Sequence, residues 1–476
     1  PPGGIMQRRT FLTGTVLGAA LGALLPADAS AATVTVSSLD ALQQAIDRAA
    51  PGDRIVVADG TYAVPAGRAV TVSGRHGTTA APITVVAESR GGAVLTGERG
   101  FVFGDSSNIT VSGFAFRQRT TLEIPASCSR IRLTRNDFRL ADVGGLDWVV
   151  VRGDDTKIDR NHFHGRTTEG IFLVADGPGT TAMAQRLQVL RNHFSDHTYT
   201  GANGGEPIRL GVSGRALSSA NAVVEYNLFE RCDGDPEAIS VKSSDNVIRY
   251  NTIRDSRGGI VLRHGNRSRV EGNHLLGGTD GVRVYGNDHL IVNNHLAGLS
   301  GRALVIGSGT TRDHHAGESV DERRGNDAAD RALVLHNTLV GNAGTLSGES
   351  RAYPPQNVVV ADNLLVGDAG SLVAMGQTVG FTWQGNILWG RASDGTIPAS
   401  GFRRVDPLLR QESDGVFRLS AGSPAIDAAT LTGTDVTEDV DGHARGAGRD
   451  VGADEYSTAA PPRRPLTPAD VGPNAA

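Results

Sequence analysis

Lysine is almost absent from this sequence, and the two lysines that remain are the first candidates for chemistry. Lysine and arginine together number 46 in 476 residues, yet lysine occurs only at Lys157 and Lys242. Arginine can replace lysine on a solvated surface but cannot abstract a proton, because a guanidinium stays protonated at ordinary pH. A retained lysine is therefore a candidate general base, although both lysines could equally lie in solvated positions without a chemical role.

Lys242 follows a short acidic segment that could bind a cation. In CDGDPEAISVKSSDN, Asp235 and Glu237 are two positions apart, so on a strand both side chains point the same way. Two carboxylates suit a hard cation such as Ca²⁺. Asn203, in ANGGEPIRLG, lies one long repeat earlier and could add a carbonyl oxygen. The alternative is that all three belong to solvated turns.

A short strand that ends in Asn and a hydrophobic residue recurs through most of the chain. Examples are RNDF at Asn136, YNLF at Asn227, YNTI at Asn251, GNHL at Asn273 and NNHL at Asn294. The intervals between successive motifs include 24, 22 and 21 residues. A period of about 20 to 30 residues is typical of a solenoid. We predict a parallel β-helix whose Asn side chains hydrogen-bond from coil to coil; the leucine spacing of leucine-rich repeats is absent.

The ends of the solenoid show different patterns. In SSLDALQQAIDRAAPGDRIVV, an apolar face over residues 39–49 predicts a helical cap that begins near Ser37 and stops at Pro51. Residues 457–476 are rich in Pro and Ala and are predicted to be disordered. Two cysteines are too few for a disulfide framework, so we expect Cys128 and Cys232 to be buried thiols.

Residues 1–31 resemble an export signal. Arg8 and Arg9 precede an apolar stretch, and an Ala-Ser-Ala cleavage pattern ends at Ala31, which indicates secretion by the twin-arginine route. The remaining chain is then one β-helix domain over residues 32–456 and the tail. The net charge of -5 argues against a general nucleic-acid binder.

Stacked coils lie about 4.8 Å apart, so residues one period apart become neighbours. Lys242 and Arg263 are 21 positions apart, which is one coil, and Arg283 lies 20 positions further on. Successive coils would therefore present the cation site, the lysine and the arginine along one groove.

The segments NGGEPIRLG, CDGDPEAISVKSSDNVIRYNTIRDSRGGIVLRHGN and GVRVYGNDH resemble polysaccharide lyase family six, the alginate lyases and the dermatan/chondroitin B lyases, over residues 33–456. This resemblance implies a right-handed parallel β-helix and β-elimination of a polysaccharide that contains uronate. It also implies Lys242 as base, Arg263 as acid, and Ca²⁺ held by Asn203, Asp235 and Glu237. Asp235, followed by Pro236, departs from the family, which usually has Glu as its first acidic ligand.

Three further residues could contact an anionic substrate. Arg283 and Arg209 could each clamp a carboxylate, or could be solvated residues of an arginine-rich protein. His264, beside Arg263, could bind the substrate carboxylate, or could be structural because strand neighbours point to opposite faces.

These features favour a secreted, monomeric lyase that acts on alginate. The alternatives are a dermatan sulfate or chondroitin B lyase and a non-catalytic, carbohydrate-binding β-helix, for which Lys242 would be dispensable. A polygalacturonase-type hydrolase would need paired Asp carboxylates, and a C5-epimerase would carry a DPH-type signature. We find neither pattern in the sequence.

Overall fold

The computed structural model describes residues 31–433 and 435–476. Within them the chain forms a parallel β-helix in which each coil visits three parallel sheets in the same order. The prediction of a right-handed parallel β-helix with an N-terminal helical cap is confirmed. The predicted export signal lies outside the described residues, apart from Ala31. No helix in the described ranges is long and apolar enough to cross a membrane.

Each coil passes through the first sheet, then the third sheet and then the second sheet. The first sheet has 14 strands: Thr33–Val36, Arg54–Val57, Ile83–Ala87, Ser107–Ser112, Ser129–Thr134, Lys157–Asp159, Gln188–Leu190, Val223–Glu225, Val247–Arg249, Arg269–Glu271, Leu290–Val292, Leu333–Leu335, Val359–Ala361 and Thr382–Gln384. The second sheet has 11 strands: Leu122–Ile124, Val149–Val151, Leu173–Ala175, Ile208–Leu210, Glu237–Lys242, Gly259–His264, Val282–Val284, Arg302–Ile306, Gly344–Gly348, Ser371–Ala374 and Ser393–Gly395. The third sheet has 14 strands: Gly60–Val64, Ala93–Gly97, Ala115–Gln118, Asp137–Phe138, His162–Arg166, His193–His197, Leu228–Cys232, Thr252–Arg254, His274–Leu276, His295–Ala297, Thr338–Val340, Leu364–Val366, Asn386–Trp389 and Phe402–Arg404.

Two small pairs of strands flank these sheets near the ends of the chain. Val70–Ser73 pairs in parallel with Phe101–Gly104, and Leu409–Gln411 pairs antiparallel with Phe417–Leu419.

The cap is the helix Leu39–Arg48, whose buried residues Leu42 and Ile46 cover the open end of the core. The Ser38 hydroxyl, and not Ser37, accepts a hydrogen bond from the backbone N–H of Ala41 at 3.2 Å. This one-residue difference arises because the helix starts one residue later than the sequence pattern indicated.

Buried asparagines stack between the first and third sheets, as the sequence predicts. At each coil, the side-chain oxygen of one Asn accepts hydrogen bonds from the backbone and side-chain nitrogens of the preceding Asn. Asn227 accepts both bonds from Asn192, at 2.9 and 3.0 Å. Its own side chain donates to the Val189 carbonyl at 2.9 Å. The ladder satisfies polar groups that the turn would otherwise bury without partners.

Replacing Asn227 by Ala is expected to destabilise the protein by about 2–4 kcal/mol, because it removes both bonds that Asn192 donates and the partner of a buried carbonyl. Chemical denaturation measures this loss. Asn474→Ala, at an exposed position, is the control and should change stability little. Equal stability of the two variants would contradict a structural role for the ladder.

The final coils bury an acidic residue, Asp454, whose side chain is 4% exposed and accepts a hydrogen bond from the Leu419 backbone at 2.7 Å. Burial, reinforced by Asp441 and Asp439, raises the pKa of Asp454 to about 7. The raised pKa stabilises the fold at acidic pH. This contribution is lost as the pH rises through about 7, where the buried carboxyl ionises.

We therefore expect Asp454→Asn to gain about 2–3 kcal/mol of stability relative to the wild type between pH 5 and pH 8, because the wild type loses about 1.4 kcal/mol per pH unit until its carboxyl ionises near pH 7. Denaturant unfolding at the two pH values measures the change. Asp321→Asn, at an exposed position, should show the wild-type pH dependence. A constant difference between wild type and Asp454→Asn across the range would show that Asp454 does not titrate as stated.

Residues 457–476 are ordered along the side of the β-helix, so the prediction of a disordered tail is wrong. Leu466 and Val471 are buried against Leu228, and the Leu466 backbone donates to the Thr252 hydroxyl at 2.8 Å. Composition misled the prediction because a few apolar residues spaced along the tail are enough to anchor it. Both cysteines are buried and free, as expected.

Candidate active site

The predicted catalytic residues lie on adjacent strands of the second sheet. Glu237–Lys242 pairs with Gly259–His264, and the register shifts by one residue near the end, so that Lys242 lies opposite His264. Arg263 is the extra residue of this bulge. Bulges re-aim side chains and are common beside active sites, and here the bulge leaves both Lys242 and Arg263 partly exposed.

Near the start of these strands, the carboxylates of Glu206 and Glu237 are close enough to Asp235 to repel its charge. Asp235 is 3% exposed and Glu206 is 1% exposed. One oxygen of each, Asp235 Oδ2 and Glu206 Oε2, is buried without a hydrogen-bond partner among the described residues. Burial, followed by repulsion from Glu206 and Glu237, raises the pKa of Asp235 to about 7. Buried and unpaired carboxylate oxygens are costly without a cation, so this donor set fits a hard metal ion such as Ca²⁺.

Two glycines allow the carboxylates to approach one another. A Cβ added to Gly205 would lie 2.4 Å from the Gly234 carbonyl oxygen, and one added to Gly234 would lie 2.5 Å from the Gly205 carbonyl oxygen. Only glycine permits such close backbone contact. The contact brings the loop before Glu206 against the turn before Asp235.

Lys242 lies beside this acidic group. Its side chain is 15% exposed, and its Nζ lies 3.5 Å from Glu206 Oε1. Glu206 therefore orients the amine while the remaining exposed surface leaves it open to a substrate. The second lysine, Lys157, lies on a different sheet, in the strand Lys157–Asp159.

Arg263 is held from three sides. Its Nε lies 4.0 Å from Glu237 Oε1, its Nη1 donates a hydrogen bond to the Asn326 side chain, and its guanidinium lies 5.9 Å from the centre of the Tyr285 ring. The Tyr285 hydroxyl in turn donates to Glu349 at 2.7 Å. These contacts hold the guanidinium on the strand next to that of Lys242. The outer face of the second sheet that carries Arg209, Lys242, Arg263 and Arg283 is called the groove below.

His264 occupies a different environment from its neighbour. It is 4% exposed, and its Nδ1 has no partner within the described part of the chain. Burial, followed by the charges of Arg263 and Lys242, lowers its pKa to about 3. A neutral, buried imidazole offers little surface to a substrate carboxylate, so the geometry favours the structural alternative for His264.

Arg209 and Arg283 share one row of the second sheet. Arg209 lies opposite Ser240, Ser240 opposite Val261, and Val261 opposite Arg283. Both arginines are partly exposed, and the Arg209 Nη2 lies 3.9 Å from Asp147. The row places a guanidinium on each side of the strands that carry Lys242 and Arg263.

Asn203 lies in an exposed part of the loop that leads to Glu206. The structure puts the Glu206 carboxylate between Lys242 and Asp235, a placement that is not among the predictions made from the sequence. The two glycines directly before Glu206 are the sequence feature that could have indicated this placement. Asn326 and Tyr285 carried no comparable signal, since they contact Arg263 from a long loop and from the next coil.

Comparisons with known proteins agree with this fold. The sequence pattern of the chondroitinase B family matches residues 36–305. A search of curated proteins finds no match. Among solved structures, the family six alginate lyase AlyGC is 27% identical, with a TM-score of 0.71, over 82% of this chain and 56% of that one.

Two further structures cover more of their own length. A mannuronic acid specific family six lyase from human gut microbiota is 25% identical, with a TM-score of 0.69, over 79% of this chain and 91% of that one. A family six polysaccharide lyase from Pseudopedobacter saltans is 22% identical, with a TM-score of 0.63, over 93% and 99%, and shows the shared fold. Because the chondroitinase B pattern spans more than half of the sequence, the chain belongs to that family, within polysaccharide lyase family six.

Proposed function

We propose that this protein is a polysaccharide lyase that cleaves alginate by β-elimination. The observation that carries the proposal is the placement of Lys242 and Arg263 on either side of three carboxylates, two of which have unpaired, buried oxygens. The likeness to AlyGC, described as an alginate lyase, and to the mannuronic acid specific enzyme supports alginate as the substrate.

The reaction needs a base at C5 of a uronate and stabilisation of two developing charges. Lys242 takes the C5 proton, and its contact with Glu206 orients the amine toward the groove. Arg263 stabilises negative charge on the departing O4. Because a guanidinium holds its proton tightly, water shares in protonating that oxygen. Arg209 and Arg283 hold neighbouring carboxylates of the polymer.

Asp235 and Glu237 would hold Ca²⁺, with Glu206 beside them and Asn203 at the mouth of the loop. When bound, the ion would neutralise the substrate carboxylate and stabilise the charge that forms on it. The residues fit the ion, because its charge would satisfy the unpaired oxygens of Asp235 and Glu206.

The first experiment is ultraviolet absorbance of the unsaturated product. The protein is incubated with alginate, poly-guluronate, poly-mannuronate or dermatan sulfate. Growth of the signal on an alginate polymer supports the proposal. Growth only on dermatan sulfate would favour the alternative function, a dermatan sulfate or chondroitin B lyase. No signal on any polymer would favour a carbohydrate-binding role.

Removal of metal is expected to reduce this activity strongly, and Glu237→Gln is expected to weaken Ca²⁺ binding by about 10–100-fold. Excess Ca²⁺ should restore the activity of Glu237→Gln. Calorimetric titration with Ca²⁺ measures the affinity directly. Glu123→Gln, on the same sheet and several coils away, is the control. Full activity of wild type and Glu237→Gln in chelator would remove Ca²⁺ from the proposed mechanism.

We also propose export by the twin-arginine route and a monomeric state. Export rests on Arg8, Arg9 and the apolar stretch that follows them. Fractionation of producing cells and size-exclusion chromatography with light scattering test the two statements.

A further inference from the structure

A group of histidines faces outward on the third sheet, away from the sheet that carries Lys242. In the strand His162–Arg166, Phe163 points into the core, where it stacks between Phe138 and Phe194 at centroid distances of 4.6 and 5.0 Å. Strand alternation therefore sends His162 and His164 to the outer face. Asp137 lies opposite His162 on the preceding coil, so two imidazoles and one carboxylate meet at the surface.

The ligand atoms of these three side chains lie within 4.8 Å of one another. His164 Nε2 is 2.9 Å, and His162 Nδ1 is 3.7 Å, from the same oxygen, Asp137 Oδ1. Bonds of about 2.0–2.1 Å in a tetrahedral zinc site place neighbouring ligand atoms roughly 3.3 Å apart. The observed distances lie on both sides of that value, so small side-chain rotations would complete a three-ligand site.

The hydrogen bonds around His162 fix which of its nitrogens is free. Ser195 donates its hydroxyl proton to Asp196 at 2.8 Å, because a carboxylate only accepts. The Ser195 oxygen, 3.0 Å from His162 Nε2, must then accept from that nitrogen. The Nδ1 of a neutral His162 is left with a lone pair that faces the Asp137 carboxylate. Two acceptors that face each other leave a position that a cation would satisfy.

Burial and the surrounding charges keep His162 neutral and Asp137 ionised, which are the forms that bind a metal ion. Burial, followed by His164 and His193, lowers the pKa of His162 to about 3, so the ring is neutral at physiological pH. Burial tends to raise the pKa of Asp137, but the hydrogen bond from His164 and the charge of Arg117 outweigh it and hold the pKa at about 2. Arg117 pairs with the other oxygen, Oδ2, and so leaves Oδ1 for the site.

We propose that Asp137, His162 and His164 bind a divalent transition-metal ion of the Zn²⁺ class. Imidazole nitrogens with one carboxylate favour Zn²⁺, Co²⁺ or Ni²⁺ over Ca²⁺. The ion displaces the proton that His164 shares with Asp137, and each side chain is 23–26% exposed, which leaves a further position open to water. Because the ligands come from two consecutive coils, the ion links those coils. The inference is independent of the proposed lyase activity.

The test uses the full chain without a histidine tag, stripped of metal and then supplied with Ca²⁺ to saturate the acidic site. Zn²⁺ binding is measured by calorimetric titration, and Co²⁺ binding by its visible absorption. We expect one equivalent of Zn²⁺ on the wild type, and affinity lower by about tenfold or more in His164→Gln and Asp137→Asn. His76→Gln, at an exposed histidine on another part of the surface, should bind like the wild type.

Circular dichroism and thermal unfolding establish that each variant is folded. If Asp137→Asn does not fold, His164→Gln carries the comparison alone. Unchanged affinity in His164→Gln would overturn the assignment, as would the absence of saturable Zn²⁺ and Co²⁺ binding to the wild type. If the wild type shows no lyase activity on any polymer but binds Zn²⁺ as expected, the result would count against the proposed function and would support this metal site.

Discussion

Lys242→Arg is expected to lower kcat on the preferred polymer by about 10²–10⁴-fold, the usual contribution of a positioned general base. The substitution keeps a positive charge beside Glu206, so the fold and much of the binding energy should survive. A guanidinium cannot give up its proton to become a base. The initial rate of ultraviolet absorbance gives kcat, and thermal unfolding confirms that the variant is folded.

Lys157→Arg is the matched control, because it replaces the only other lysine by the same residue on a different sheet. It should retain the wild-type rate. If Lys242→Arg turned over substrate at the rate of Lys157→Arg, another group would have to be the base. The scarcity of lysine would then reflect composition alone.

Arg263→Ala is expected to lower kcat by about 10²–10³-fold, the typical effect of removing one group that stabilises charge in the transition state. The loss should appear in kcat, because Arg263 is placed next to Lys242 and Glu237 in the groove. Steady-state kinetics over a range of polymer concentrations separates this effect from a change in KM.

Arg283→Ala supplies the comparison, since Arg283 lies one coil further along the same sheet. It is expected to raise KM with a smaller change in kcat, because it would contact a neighbouring sugar and not the reacting atoms. A pure KM effect in Arg263→Ala would move that residue from the catalytic group to substrate binding.

The period of the chain made the fold predictable. Each coil must satisfy the polar groups of its turn, so an Asn recurs once per coil and the intervals can be read from the sequence. The same period placed Lys242 one coil from Arg263, and the structure brings the two together. Because the same stacking requirement applies to every coil, it can be recognised in the sequence and is found again in the structure.

The residues around the catalytic pair were less predictable. Asn326 reaches Arg263 from a loop between the strands Arg302–Ile306 and Leu333–Leu335, and no period sets the path of such a loop. The bulge at Arg263 also shifts the pairing register, so that Lys242 lies opposite His264 and not opposite Arg263. Glu206 depends on the close contact of Gly205 with Gly234, which is a tertiary event.

The ordered tail changes how the β-helix can come apart. In a solenoid each coil contacts only its neighbours, so an end coil can fray without disturbing the middle. Here the tail runs back over the coils: Leu466 is bonded to Thr252, and Arg135 donates to the backbone of Pro473 and Ala475 at 2.9 and 2.6 Å. A coil near the beginning is thereby tied to the last residues of the chain. Unfolding therefore gains the cooperativity of a closed loop, and the coils that carry the groove lie inside it.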